Sequence, residues 1–283
     1  MTAITRFAPS PTGYLHLGHA ASALFSFKQS EPHGRFLLRI EDIDQTRFRP
    51  EFLDAIYEDL AWLGLEWEHP VRVQSEHFDD YQAVLDRLTD MDLLYPCFCT
   101  RKDIQAEIAK IGNAPHGPDG ALYPGTCRQC SRQERKDRIA AGESYALRLD
   151  MAAAIKRAGR ELVWFDRAAG RQIATPEIFG DVVLARKDTP TSYHLSVTFD
   201  DHLQGISLVT RGEDLFFASH LHRLLQEVLG YDVPEYHHHG LLTGPDGKRF
   251  AKRNKSMTLR SMRERGLDPK DVIALTDTFQ SKK

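Results

Sequence analysis

Residues 6–20 read RFAPSPTGYLHLGHA. Ile4 to Phe7 can form a short buried strand and is followed by Pro9, Pro11 and Gly13, after which Leu17, Ala21, Leu24 and Phe25 recur at helical spacing. A strand, a stiff turn and a helix in that order bring backbone N–H groups and the positive end of a helix dipole to one spot, which suits a phosphate. The prolines fix the turn beforehand, so little entropy is lost when a ligand arrives. Gly13 permits unusual dihedrals, and Gly18 removes a side chain where a flat base can lie against the backbone. His16 and His19 are three residues apart and face one side of the first helical turn, where they can donate to phosphate oxygens. Helical zinc histidines are usually four apart, so a metal pair fits less well. Two surface histidines beside a turn is the plainer reading. The strand before them and the helix after them favour a nucleotide site.

The rhythm continues. RFLLRI (35–40) reads as a second strand, and helices are marked by Phe52, Ala55, Ile56, Leu60 and Leu63, then by Phe78, Tyr81, Leu85 and Leu88. Strand and helix in alternation predict an α/β fold with a doubly wound parallel sheet of Rossmann type. The pattern breaks after Tyr95, and residues 112–127 hold four glycines and three prolines, too many for regular structure. An exposed helix is expected within 128–142. Strand-like runs resume at DVVLAR (181–186) and GISLVTR (205–211), followed by a helix from Leu215 to Leu229 and then YHHHGLL. The expected organisation is residues 1–95 and 176–240 as the halves of the catalytic domain, 96–175 as an insertion, and 241–283 as a basic loop with a short helical segment. A net charge of −3 confines any polyanion contact to a local patch. No apolar run approaches the ~20 residues of a membrane span, and MTAITRFAPS lacks the regions of a signal peptide. A cytoplasmic location is expected.

All four cysteines fall in one stretch, as Cys97-Phe98-Cys99 and Cys127-Arg128-Gln129-Cys130. In a reducing compartment two such pairs favour metal over a disulfide, and the spacing alone predicts a tetrahedral, structural zinc site of four cysteines. Few apolar side chains lie between the pairs, so the metal would supply folding energy that packing cannot.

RFAPSPTGYLHLGHA closely resembles the HIGH-motif region of class I glutamyl-tRNA synthetases, with His16-Leu17-Gly18-His19 as the motif. LRIEDID (38–44), YHLSVTFDDHLQGISLVTRGEDL (193–215) and KRFAKR (248–253) follow in the family's order. The resemblance implies that L-glutamate and ATP with Mg2+ are substrates, joined as glutamyl-adenylate. It implies that Arg6, Phe7, Ala8, Pro9 and Ser10 line the amino-acid pocket. Arg6 and Arg211 would meet the carboxylates, Glu41 the ammonium, and Tyr193 would add a hydroxyl. His16, Gly18, His19 and Lys252 would contact ATP, with His16, His19 and Lys252 catalytic. KRFAKR aligns with the mobile KMSKS-type loop, although Arg249 replaces its first lysine and Ala251 its serine. Short members of the family hold one structural zinc with a C-x-C pair, a tyrosine and a later cysteine, which implies Cys97, Cys99, Tyr123 and Cys127 and leaves Cys130 spare.

Only 30 residues follow Arg253, too few for a separate anticodon-reading domain. Residues 248–265 carry eight basic side chains against one acid, suited to phosphate backbone without sequence readout. With Ile43 in RIEDID and the cysteine–tyrosine pattern, the chain looks like the glutamyl-queuosine tRNA(Asp) synthetases. These activate glutamate without tRNA and pass it to the queuosine base in the anticodon of tRNA(Asp). A monomer is expected. The rival readings are a reduced synthetase charging the acceptor end, a non-catalytic paralogue sensing glutamate or ATP, and a nucleotidyltransferase with the same H-x-G-H start.

Overall fold

The first strand, β1 (Ile4–Phe7), runs parallel to β2 (Arg35–Ile40), with Ile4 opposite Arg35 and Phe7 opposite Leu38. Between them α1 (Leu17–Ser30) buries Leu17, Ala20, Ala21 and Ala23, small side chains that let the helix lie close on the sheet. Gly34 makes the return possible, since a Cβ there would stand 2.2 Å from the Ala3 carbonyl oxygen and 2.3 Å from that of Ser30. The computed structural model describes residues 2–111, 115–118, 120–241 and 258–280.

The chain goes on through α2 (Pro50–Trp62), with proline in its first turn, β3 (Glu68–Val73), α3 (Phe78–Asp90) and β4 (Leu94–Cys97). Next come α4 (Arg101–Ile111), the two-residue strands β5 (His116–Gly117) and β6 (Gly120–Ala121), and α5 (Arg132–Ala140). As its polar sequence predicts, α5 buries no side chain. Then follow β7 (Ala146–Leu149), α6 (Met151–Ala158), β8 (Val163–Asp166), β9 (Gly170–Ile173) and β10 (Val183–Ala185). The last elements are α7 (Tyr193–Leu203), β11 (Leu208–Gly212), α8 (Ala218–Leu229), β12 (Glu235–His239), α9 (Leu259–Glu264) and α10 (Pro269–Gln280).

The parallel sheet expected from the sequence is present in two pieces. One is β1-β2-β3; the other is β11-β12-β8 with β9 added as an antiparallel hairpin strand. They meet at a seam where Ser207 N–H donates to the Ile4 carbonyl (3.0 Å) and Ile4 N–H to Ser207 Oγ (2.9 Å). Sheet membership cuts across the expected segment boundaries. Within 96–175, β8 and β9 join β12 because Trp164 is an apolar anchor, 2% exposed, packed against Val209 and Tyr236. Conversely β10, inside DVVLAR, pairs antiparallel with β7 in a separate sheet with β4. The helix expected from Leu215 begins at Ala218, after a single 3-10 turn at Glu213–Leu215.

Two cores flank the sheet. Phe7, Leu38, Ile56, Leu60 and Leu259 pack α1, α2 and α9 against β1 and β2, while Leu85, Leu149, Leu184, Leu195 and Leu224 join α3, α7 and α8 to the antiparallel sheet. Eleven of the twelve residues of α8 are buried, among them His220, His222, Arg223 and Gln226. A helix covered on all sides must find partners for its polar groups inside the protein, and His222 finds one at the cleft.

Candidate active site

The turn after β1 enters α1 through His16, the N-cap, which has extended backbone (φ −127°). Gly18 N–H donates to His16 Nδ1 (3.1 Å) and His16 N–H to His19 Nδ1 (3.2 Å), so the two imidazoles cap the helix reciprocally. Their rings stack with centroids 3.8 Å apart. A ring nitrogen that accepts carries no hydrogen, so both hydrogens sit on Nε2. A Cβ at Gly18 would lie 3.0 Å from His16 Cε1, so the glycine makes room for the capping ring. Gly13 permits unusual dihedrals but does not use them: its φ is not positive and a Cβ there would meet open space. Beyond this turn Thr258 pairs antiparallel with His16, and Leu259 N–H donates to the Leu15 carbonyl (2.8 Å). Lys252, Arg249 and Ala251 lie outside the described residues.

At the carboxyl ends of β1 and β11 opens a cleft of about 380 Å³. Of the residues singled out in the sequence, Arg6, Phe7, Ala8, Pro9, Ser10, His19, Glu41, Tyr193 and Arg211 line it; Thr12, Ser22, Arg47 and Thr210 do so as well. A smaller hollow of about 140 Å³ adjoins it, sharing Ser10, Glu41, Arg47 and Tyr193 and reaching Asp44 and Arg186.

The two arginines differ in what surrounds them. Arg6, 4% exposed, grips Asp201 through Nε (2.9 Å) and Nη2 (3.3 Å), and its Nη1 donates to the Thr210 carbonyl (3.0 Å). Asp201 also accepts from Arg39 Nη2 (2.8 Å), and Arg39 reaches Glu41 at 3.4 Å. Next to it Asp200 takes Arg72 Nε (2.7 Å), Gln74 Nε2 (2.7 Å) and the Tyr81 hydroxyl (2.9 Å). Burial opposes ionisation of Asp201, but Arg6 and Arg39 outweigh it and hold the carboxyl below its usual range. At Glu41 burial wins, and its carboxyl lies above the usual range despite Arg39. Sequence reasoning missed Asp200, Asp201, Arg39 and Arg72. The adjacent pair in TFDDHL was the available signal.

Arg211, 5% exposed, has only neutral acceptors among the described residues. Nε donates to His238 Nε2 (3.1 Å), Nη1 to the Tyr193 hydroxyl (3.4 Å) and His222 Nδ1 (3.3 Å), and Nη2 to Ser219 Oγ. Burial raises the Tyr193 phenol above its usual range, so it stays a hydroxyl.

In the cysteine stretch the sulfurs of Cys97, Cys99 and Cys127 lie within 4.8 Å of one another, a group that could hold a metal. The Tyr123 hydroxyl approaches Cys97 Sγ to 3.4 Å and Cys99 Sγ to 3.5 Å, and it accepts from Cys127 N–H (2.8 Å). Arg148 stacks on the Tyr123 ring, 3.8 Å from its centroid. Cys130 is not one of the clustered sulfurs.

Residues 2–277 match the family model described as tRNA synthetases class I (E and Q), catalytic domain. The Glutamyl-Q tRNA(Asp) synthetase of Rhodobacter capsulatus is 46% identical over 277 residues, covering 96% of this chain and 99% of that protein. The Glutamate--tRNA ligase of Aquifex aeolicus is 36% identical over 272 residues, 95% of this chain but 55% of the relative. Among solved structures, a glutamate-tRNA synthetase from Elizabethkingia anophelis superposes with a TM-score of 0.81 at 28% identity, covering 98% of this chain and 61% of that one. The chain thus spans about three-fifths of that solved synthetase. Motif order, cleft and these matches agree: the chain belongs to the class I tRNA synthetases (E and Q), whose catalytic domain it carries.

Proposed function

We propose that this chain activates L-glutamate with ATP and Mg2+, without needing tRNA, and transfers it to the queuosine base in the anticodon of tRNA(Asp). One observation carries the glutamate half: Arg211 lines the cleft with its charge unmatched by any carboxylate of the described residues, while Glu41 lines the same cleft. An amino acid with an acidic side chain complements both groups, its side-chain carboxylate toward Arg211 and its ammonium toward Glu41. The queuosine half is supported by relatives that carry the name Glutamyl-Q tRNA(Asp) synthetase.

In the proposed reaction an oxygen of the α-carboxylate attacks the α-phosphorus of ATP, and the bond to the pyrophosphate oxygen breaks. The Nε2–H groups of His16 and His19 donate to the phosphate oxygens that gain charge, and the N-terminus of α1 adds its dipole. Lys252 neutralises the departing pyrophosphate, and Gly18 lies against the nucleotide. The pocket wall comes from Phe7, Ala8, Pro9 and Ser10, and the adjoining hollow gives an accepting hydroxyl access to the activated carboxyl. One structural zinc is held by Cys97, Cys99, Cys127 and Tyr123, whose three sulfurs and phenol oxygen form a compact four-donor set. The proposed enzyme is a cytoplasmic monomer; among the described residues no helix is long and apolar enough to cross a membrane.

The test has two stages. Glutamate-dependent ATP–pyrophosphate exchange is expected with no tRNA present. Labelled glutamate should then load queuosine-containing tRNA(Asp) after its 3′-terminal adenosine has been removed. Loading that disappears with that adenosine points instead to a reduced synthetase charging the acceptor end.

A further inference from the structure

Arg211 is surrounded by imidazoles. His238 Nδ1 lies 2.6 Å from Asp166 Oδ2, and His238 N–H donates to the same oxygen (3.1 Å). The other oxygen, Oδ1, accepts from Ala168 N–H (2.9 Å) and Ala169 N–H (2.8 Å), so the hairpin turn after β8 pins the carboxylate from both sides. Asp166 and His238 are 0% and 8% exposed. Since a carboxylate accepts, His238 carries its hydrogen on Nδ1, which leaves Nε2 to accept from Arg211 Nε–H. The tautomer of His222 is fixed in the same way. A guanidinium only donates, so His222 Nδ1 accepts and its hydrogen sits on Nε2, directed at His194 Nδ1 (3.1 Å). Both rings are neutral in this scheme, and burial followed by the nearby Arg211 charge disfavours their protonation.

Three other arginines, the buried Arg6 and Arg39 and the half-buried Arg72, are each held by an aspartate. Arg211 is held as firmly, but by acceptors that fix its plane and include no carboxylate among the described residues. We propose that His238, set by Asp166, and His222 are positioning residues that orient Arg211 through neutral acceptors, so that its full charge is available to the substrate's side-chain carboxylate. The proposal rests on the reading in which Arg211 receives that carboxylate. A carboxylate in place of either ring would hold the guanidinium equally well but would cancel the charge that distinguishes glutamate from glutamine.

The experiment uses glutamate-dependent ATP–pyrophosphate exchange with the full chain, and pairs substitutions of nearly equal shape. His222→Glu should raise the KM for glutamate at least about tenfold with the KM for ATP unchanged and no loss of thermal stability, while His222→Gln, a neutral acceptor, should stay within about threefold. Asp166→Asn, with its oxygen kept on Ala168 and Ala169 N–H, turns its NH2 toward both the His238 ring and the His238 N–H, which loses its acceptor. The imidazole hydrogen then moves to Nε2, facing Arg211 Nε–H, and the KM for glutamate should again rise about tenfold. Equal KM values for the Glu and Gln variants at position 222, or an unchanged KM in Asp166→Asn, overturn the positioning role. Arg211→Gln separates the two readings. If it leaves the KM for glutamate unchanged, the carboxylate assignment itself is wrong; if it raises that KM while the histidine-shell variants do nothing, only the positioning role fails.

Discussion

The cleft and the cysteine cluster are both polar sites, but they are held together differently. Beneath the cleft, guanidinium and carboxylate groups neutralise one another: the buried Arg6 and Arg39 share Asp201, and the half-buried Arg72 meets Asp200. In the cluster three sulfurs and a phenol converge, and the nearby guanidinium of Arg148 lies over the Tyr123 ring. A site whose charges are paired within the fold is organised before its ligand arrives. A site made of converging donors of one kind needs its ligand to bring the opposite charge, and so is completed by it. On the proposed reading the cleft is a place for a substrate that leaves, and the cluster a place for an ion that stays.

The largest effect expected is from Cys127→Ser. Structural zinc is worth about 10 kcal/mol or more in apparent binding energy, so metal stoichiometry should drop from one to near zero, with rapid proteolysis within residues 97–130. Exchange activity should fall less than about tenfold, because none of the clustered residues lines the cleft. Its complete loss along with the metal would show that the two regions are not independent. Asp201→Asn attacks the other side of the comparison. It leaves Arg6 and Arg39 facing an amide, at a cost of about 3–5 kcal/mol, read as a lower midpoint in denaturant together with reduced exchange. A change below 1 kcal/mol would mean that these charges are not paired as described. Cys130→Ser should do least, with stability within about 0.5 kcal/mol of the parent and metal content unchanged. Loss of metal there would move the fourth ligand from Tyr123 to Cys130.

Much of this was readable in the chain, for a physical reason. Where one face of an element is buried, hydrophobic spacing gives the element away, as with Leu17, Ala21 and Leu24 on α1 or Tyr81, Leu85 and Leu88 on α3. Short apolar runs say less, because four residues do not name their partner. Val183 and Leu184 looked like part of the parallel sheet and instead pair with β7, while Trp164 lay unnoticed in a presumed insertion. The charge lattice was hidden more deeply. Adjacent acids such as Asp200 and Asp201 usually mark a wet helix face, and nothing local says that α7 carries them under β1 and β2. The histidines of α8 and β12 were equally silent, since a tautomer is set by neighbours distant in sequence.

The seam between β1 and β11 has a consequence for substrate length. Few backbone bonds cross it, and Arg6, reaching over to Asp201 and the Thr210 carbonyl, supplies much of the join. Glu41 stands just past the end of β2 on one side and Arg211 stands on β11 on the other. The span between the two groups proposed to grip opposite ends of the amino acid is therefore gauged by a salt link and not by a ladder. On the proposed reading the choice between acids of different length then depends on how firmly Arg6 holds Asp201.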